Sequence, residues 1–147
     1  MGRKIVVTSG KGGVGKTTLT ASLGIAIAET GKKVVLVDAD LGLNNLDVVL
    51  AVENKVVYDV LDVISGKCRL KQALIQDVDN PTLYVLPSAK IQDSPLITAC
   101  SFRNVVDALA LNFDFVIIDC PAGIDNGFHR AVSAATEAIV VTTPHIS

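Results

Sequence analysis

At 147 residues and a formal net charge of −2, the chain has the length of one domain and can bury about two-thirds of its unfolded surface, but it lacks the positive charge that would coat a nucleic acid. Half of it is apolar and only 4% aromatic, with Val, Ile, Leu and Ala dominant, a make-up suited to parallel strands covered by helices on both faces. No apolar run approaches the roughly eighteen residues that span a bilayer, and Arg3-Lys4 leads into only three apolar residues, so neither a membrane span nor a signal peptide is expected.

The first element is Lys4 to Thr8, a β-branched run fit for a buried strand. Val6 stands where a myristoylation signal needs Ser or Thr, so Gly2 is not expected to carry a lipid. Gly10 to Thr18 then reads GKGGVGKTT, which contains the phosphate-loop pattern G-x-x-x-x-G-K-[ST]. Gly10, Gly12, Gly13 and Gly15, with Lys11 and Val14 between them, let the backbone N–H groups wrap a triphosphate without side chains intervening. Lys16 would reach the β- and γ-phosphates, and Thr17 would hold Mg²⁺, with Thr18 completing the loop. From Lys16 onward Leu19, Leu23, Ala26 and Ile27 fall at helical spacing, and Thr30-Gly31 supplies a stop. Strand, glycine loop and helix in this order aim the helix N-terminus at the phosphates.

Lys33 to Val37 reads as the second strand and ends in Asp38-Ala39-Asp40. Leu41 to Asn54 suggests a polar loop with a short helical turn, and Val57 to Ile64 and Leu70 to Ile75 have helical spacing with Gly66 between them. Thr82 to Leu86, before Pro87, is a third strand; Phe102, Val105, Val106 and Leu109 mark another helix. Phe113 to Ile118 forms a fourth strand ending in Asp119-Cys120-Pro121-Ala122-Gly123, followed by a helix over Asp125 to Ala135 and a fifth strand over Ala138 to Thr143. The alternation predicts an α/β, doubly wound, mostly parallel sheet of about five strands, with ligands off the C-terminal strand ends. No internal boundary is visible, so residues 1–147 are read as a single phosphate-loop domain; the stop at Ser147, just past a strand, suggests a fragment of a larger sheet.

Three carboxylates follow strands. Asp119 occupies the place of a residue that holds Mg²⁺ through its water shell. Asp38 and Asp40 compete for two roles, the Mg²⁺ shell and the positioning of an attacking water; Asp40 is favoured for the water. Pro121 and Gly123 would let the backbone turn close to a γ-phosphate. Lys11, at the rim of its own loop, points outward more easily than inward, so a face-to-face dimer could insert it into the partner's nucleotide site; the alternative is a solvated lysine. Cys68, Cys100 and Cys120 are odd in number and widely spaced, which predicts reduced cytosolic thiols buried as small apolar residues. His129 and His145 read as a helix-surface and a loop residue.

With GKGGVGKTT, VDADLGLNNLD and IIDCPAG in this order, and with Val57-Tyr58-Asp59-Val60, Gln72-Ala73-Leu74-Ile75 and Val141-Thr142-Thr143-Pro144 between and after them, the chain resembles the deviant Walker A ATPases of the MinD/ParA group, its MinD branch above all. The resemblance covers essentially all 147 residues. It implies a SIMIBI-like phosphate-loop fold with ATP and Mg²⁺ as cofactors, and an ATP-dependent homodimer in which Lys11 contacts nucleotide across the interface. It implies Lys16 and Asp40 beside Lys11 as the catalytic set, and Thr17, Asp38 and Asp119 around the metal. For the MinD branch it further implies MinC-like and MinE-like partners in placing the division septum. A cytoplasmic protein is expected, with no nucleic-acid partner; at full length it would be peripheral on the inner face of the cell membrane, attached only through a C-terminal helix absent from this chain. The rivals are a flagellar-number regulator, a ParA-type partition ATPase, a non-catalytic nucleotide-binding fragment, and an iron–sulfur carrier, for which the cysteines lack the paired spacing of a shared cluster.

Overall fold

Among the described residues, six strands form one sheet in the order β3-β4-β2-β5-β1-β6. They are β1 (Arg3–Ser9), β2 (Val34–Asp38), β3 (Ile75–Gln76), β4 (Leu83–Leu86), β5 (Phe115–Asp119) and β6 (Glu137–Val141). Among the described residues the complete helices are α1 (Lys16–Glu29), α2 (Val60–Ile64), α3 (Leu70–Ala73), α4 (Ala99–Ala110) and α5 (Asn126–Ala134), with a 3-10 turn at Glu53–Lys55. The computed structural model describes residues 1–9, 15–39, 46, 50–89, 95–120 and 126–141. The expected loop over Leu41 to Asn54 therefore lies mostly outside the described residues, as do Pro121, Gly123 and His145.

All strand pairs are parallel except β3 with β4. That pair corrects the expected helix over Leu70 to Ile75 and raises the strand count from about five to six. The helix stops at Ala73, because Leu74 is already extended at φ −71°, ψ 136°. The Asp77 carboxylate accepts from the backbone and side-chain N–H groups of Asn80, and the Asp77 and Leu83 main chains bond at 2.8 Å. An Asx-type turn before Pro81 thus folds Ile75 back onto β4, a local hydrogen-bond choice that apolar spacing does not report.

Alternate strand residues supply two cores. Val6, Val35, Val37, Val116 and Ile118 face one layer, where Phe102, Val105 and Val106 of α4 and Ala131 and Ala134 of α5 cover them. Val7, Val34, Leu36 and Ile117 face the other, under Ala21 and Ala28 of α1. This is the doubly wound arrangement expected from β-branched strands buried on both faces. The α1 stripe against the sheet is Thr20, Ala21, Gly24 and Ala28, while Leu19 is 40% exposed. Small residues replace the larger apolar ones there because helix and sheet are close: a β-carbon on Gly24 would stand 2.8 Å from Leu36 Cδ2.

Candidate functional site

The parallel register places the C-terminal ends of β1, β2 and β5 side by side, with Asp38 opposite Asp119 and Asp119 opposite Val7. Parallel partners share a sheet face, and here it is the α1 face, the one that Leu36 and Ile117 line two residues earlier. The main chain ties the three ends together: Ala39 N–H donates to Asp119 O at 3.0 Å, and Cys120 N–H to Val7 O at 3.0 Å.

Helix α1 starts directly above these ends. Gly15 is its N-cap at φ +76°, a left-handed conformation that a side chain would strain, and among the described residues no side chain caps the helix start. The first-turn N–H groups and the positive end of the helix dipole are thereby left for an anion. Lys16 is only 3% exposed and bends back to the sheet, where Nζ lies 2.5 Å from Asp119 Oδ1. Thr17 Oγ1 donates to the other oxygen, Asp119 Oδ2, at 2.8 Å. One fully buried carboxylate is thus gripped by an ammonium and a hydroxyl from consecutive helix residues. Thr20 Oγ1 donates to Lys16 O at 2.9 Å and steadies the same turn.

Asp38 is also fully buried, and its Oδ2 accepts the Leu46 N–H at 3.2 Å. That backbone donor comes from eight residues downstream, and no residue-type pattern marks it. The structure therefore brings Lys16, Thr17, Asp38 and Asp119 together at the strand ends, and Thr18 sits exposed on the outer side of the same turn. Gly10, Lys11, Gly12, Gly13, Val14 and Asp40 lie outside the described residues.

Magnesium fits this donor set. A threonine hydroxyl and a carboxylate whose oxygens already converge match an ion that keeps several waters and takes few protein ligands. Among the described residues no cluster of three or more His, Cys, Asp or Glu side chains offers a competing metal cage. The cysteines correct one expectation, since only Cys120 is buried, Cys68 is half-buried, and Cys100 is exposed on the side of α4 away from Phe102 and Val105. Partial burial and the carboxylates of Asp62 and Asp59 push the Cys68 thiol up, away from a reactive thiolate. His129 is at the surface, as expected.

The AAA domain family model matches residues 2–146, nearly the whole sequence. The chain belongs to this AAA domain family. The septum site-determining protein MinD of Bacillus subtilis is 53% identical over 148 aligned positions, covering 100% of this chain and 55% of that protein. In the MinC:MinD cell division protein complex of Aquifex aeolicus, the matching chain is 45% identical with a TM-score of 0.85, covering 97% of this chain and 57% of that one. The septum site-determining protein MinD of Pyrococcus horikoshii, solved with Mg-ADP, is 39% identical with a TM-score of 0.86, covering 99% of this chain and 59% of that one. This chain spans about half the length of the curated relatives it matches. No helix among the described residues is long and apolar enough to cross a membrane.

Proposed function

We propose that residues 1–147 form the phosphate-binding domain of a MinD-type ATPase, a Mg-ATP-dependent dimerising switch that takes part in placing the division septum. The observation that carries this reading is the convergence of Lys16 and Thr17 on Asp119 beneath an uncapped helix start. It is supported by the similarity to a MinD solved with Mg-ADP and to one solved in a MinC:MinD complex. A MinC-like partner follows from the second similarity, and a MinE-like activator and peripheral membrane attachment follow from the family resemblance.

In this reading the N–H groups of the 10–15 loop and of the first α1 turn bind the phosphates of ATP. Lys16 exchanges its bond to Asp119 for one to the β/γ-phosphate oxygens. Thr17 and Asp119 would hold magnesium, which when bound neutralises charge on those oxygens. Asp40 orients the attacking water, and Asp38, the last residue of β2, would serve the metal's shell. Water adds to the γ-phosphorus as the bond to the β-phosphate oxygen breaks, giving ADP and phosphate. Lys11 of the opposite protomer meets the charge that develops, so hydrolysis and dimerisation are linked.

Titration calorimetry with Mg-ATP tests the assignment. Saturable binding is expected for the wild type, and none for a Lys16→Ala variant that keeps its native circular dichroism. Unchanged affinity in that variant would remove the phosphate-loop role.

A further inference from the structure

A second concavity lies at the opposite, N-terminal end of the strands, about five strand residues or roughly 17 Å from the phosphate site. Its volume is about 560 Å³, within the range of small-molecule pockets. The floor is aromatic: Tyr84 and Phe113 meet edge to face, with ring centroids 5.4 Å apart. Lys33 Nζ stands 4.8 Å from the Phe113 centroid and 5.8 Å from that of Tyr84, and Arg69 and Lys71 join it around the cavity. Among the described residues none of these three cations makes an ion pair, and no carboxylate lines the cavity. The neighbouring Asp114 carboxylate is turned to the backbone, accepting the Lys33 N–H at 2.8 Å.

We infer that this cavity binds a small amphipathic anion, a single acidic group on an aromatic or short acyl body. The acidic group would be met by Lys33, Arg69 and Lys71 as charge-assisted hydrogen bonds, and the body would lie on the Tyr84–Phe113 floor between leucines of α3 and α4. Charge complementarity selects an anion, and a volume of about 560 Å³ selects a small one. A nucleic acid or membrane surface would be met by a broad basic face, which a chain of net charge −2 does not offer.

The test is a backbone-amide NMR titration of the full chain with naphthalenesulfonate, beside inorganic sulfate and neutral naphthylmethanol. Saturating shifts are expected at Lys33, Lys71 and Phe113, with both comparators at least about tenfold weaker. Lys71→Glu, on an exposed helix face, should weaken the sulfonate about tenfold, and Lys33→Glu should do the same. Equal binding of the neutral compound, shifts confined to residues 15–20, or indifference to both charge reversals would overturn the assignment. So would displacement of the sulfonate by short duplex DNA at lower concentration.

Discussion

Lys16 and Asp119 are the two residues on which the site turns, and their pairing also sets a stability term. Both are almost wholly buried, and desolvating two ions is offset only while they face each other. Removing either partner leaves an uncompensated charge in the interior, a loss of about 3–5 kcal/mol. Lys16→Met and Asp119→Asn are therefore each expected to lower unfolding stability by that order in urea titrations without nucleotide. The double variant should lose clearly less than the sum of the two, since neither charge is then orphaned. Additive losses would show that the pair is not coupled in the folded protein. The residue types of this site were legible in the sequence because the phosphate-loop spacing and an aspartate after an apolar run are local signals. What was not legible is that Lys16 pairs with Asp119, 103 positions away, or that Leu46 N–H holds Asp38.

At the scale of elements, the strands were the readable part, since runs such as Val34–Asp38 are buried on both faces and need no partner to be recognised. The face of α1 was less so. Its spacing of Leu19, Leu23, Ala26 and Ile27 suggests an apolar stripe; Leu23 and Ile27 do pack against the core, but Leu19 and Ala26 are exposed and the buried positions after Lys16 are Thr20, Ala21, Gly24 and Ala28, because small residues let the helix come close to the sheet. Ile75 escaped for a related reason: the Asp77 turn outweighs the helical spacing before it. The close approach makes Gly24 a sensitive position. Gly24→Val would drive a branched side chain into Leu36, and overpacking of this kind costs about 1–3 kcal/mol. A lower denaturation midpoint is expected, together with weaker nucleotide binding, as α1 lifts Lys16 and Thr17 from Asp119. If affinity held while stability fell, the helix start would be positioned independently of its middle.

For the whole molecule, a parallel sheet collects at one edge residues that the sequence scatters from position 15 to 119, so the phosphate site exists only when β1, β2 and β5 are in register. A site at the rim of a sheet also faces outward, which is what a second copy needs in order to complete it. The proposed dimer separates two functions that a single phosphate loop would merge. Lys11→Ala should leave nucleotide binding intact while abolishing the ATP-induced doubling of mass in light scattering. Asp40→Ala should have the opposite character, forming a dimer with ATP that persists because water is no longer oriented for attack. Cosedimentation with lipid vesicles then reads the switch: the Asp40 variant should stay bound in ATP after the wild type has hydrolysed its nucleotide and left, and the Lys11 variant should not bind in either nucleotide. An ATP-induced dimer in the Lys11 variant would return that lysine to the solvent, and rapid unaltered hydrolysis in the Asp40 variant would pass the water to Asp38, the buried carboxylate at the same strand end.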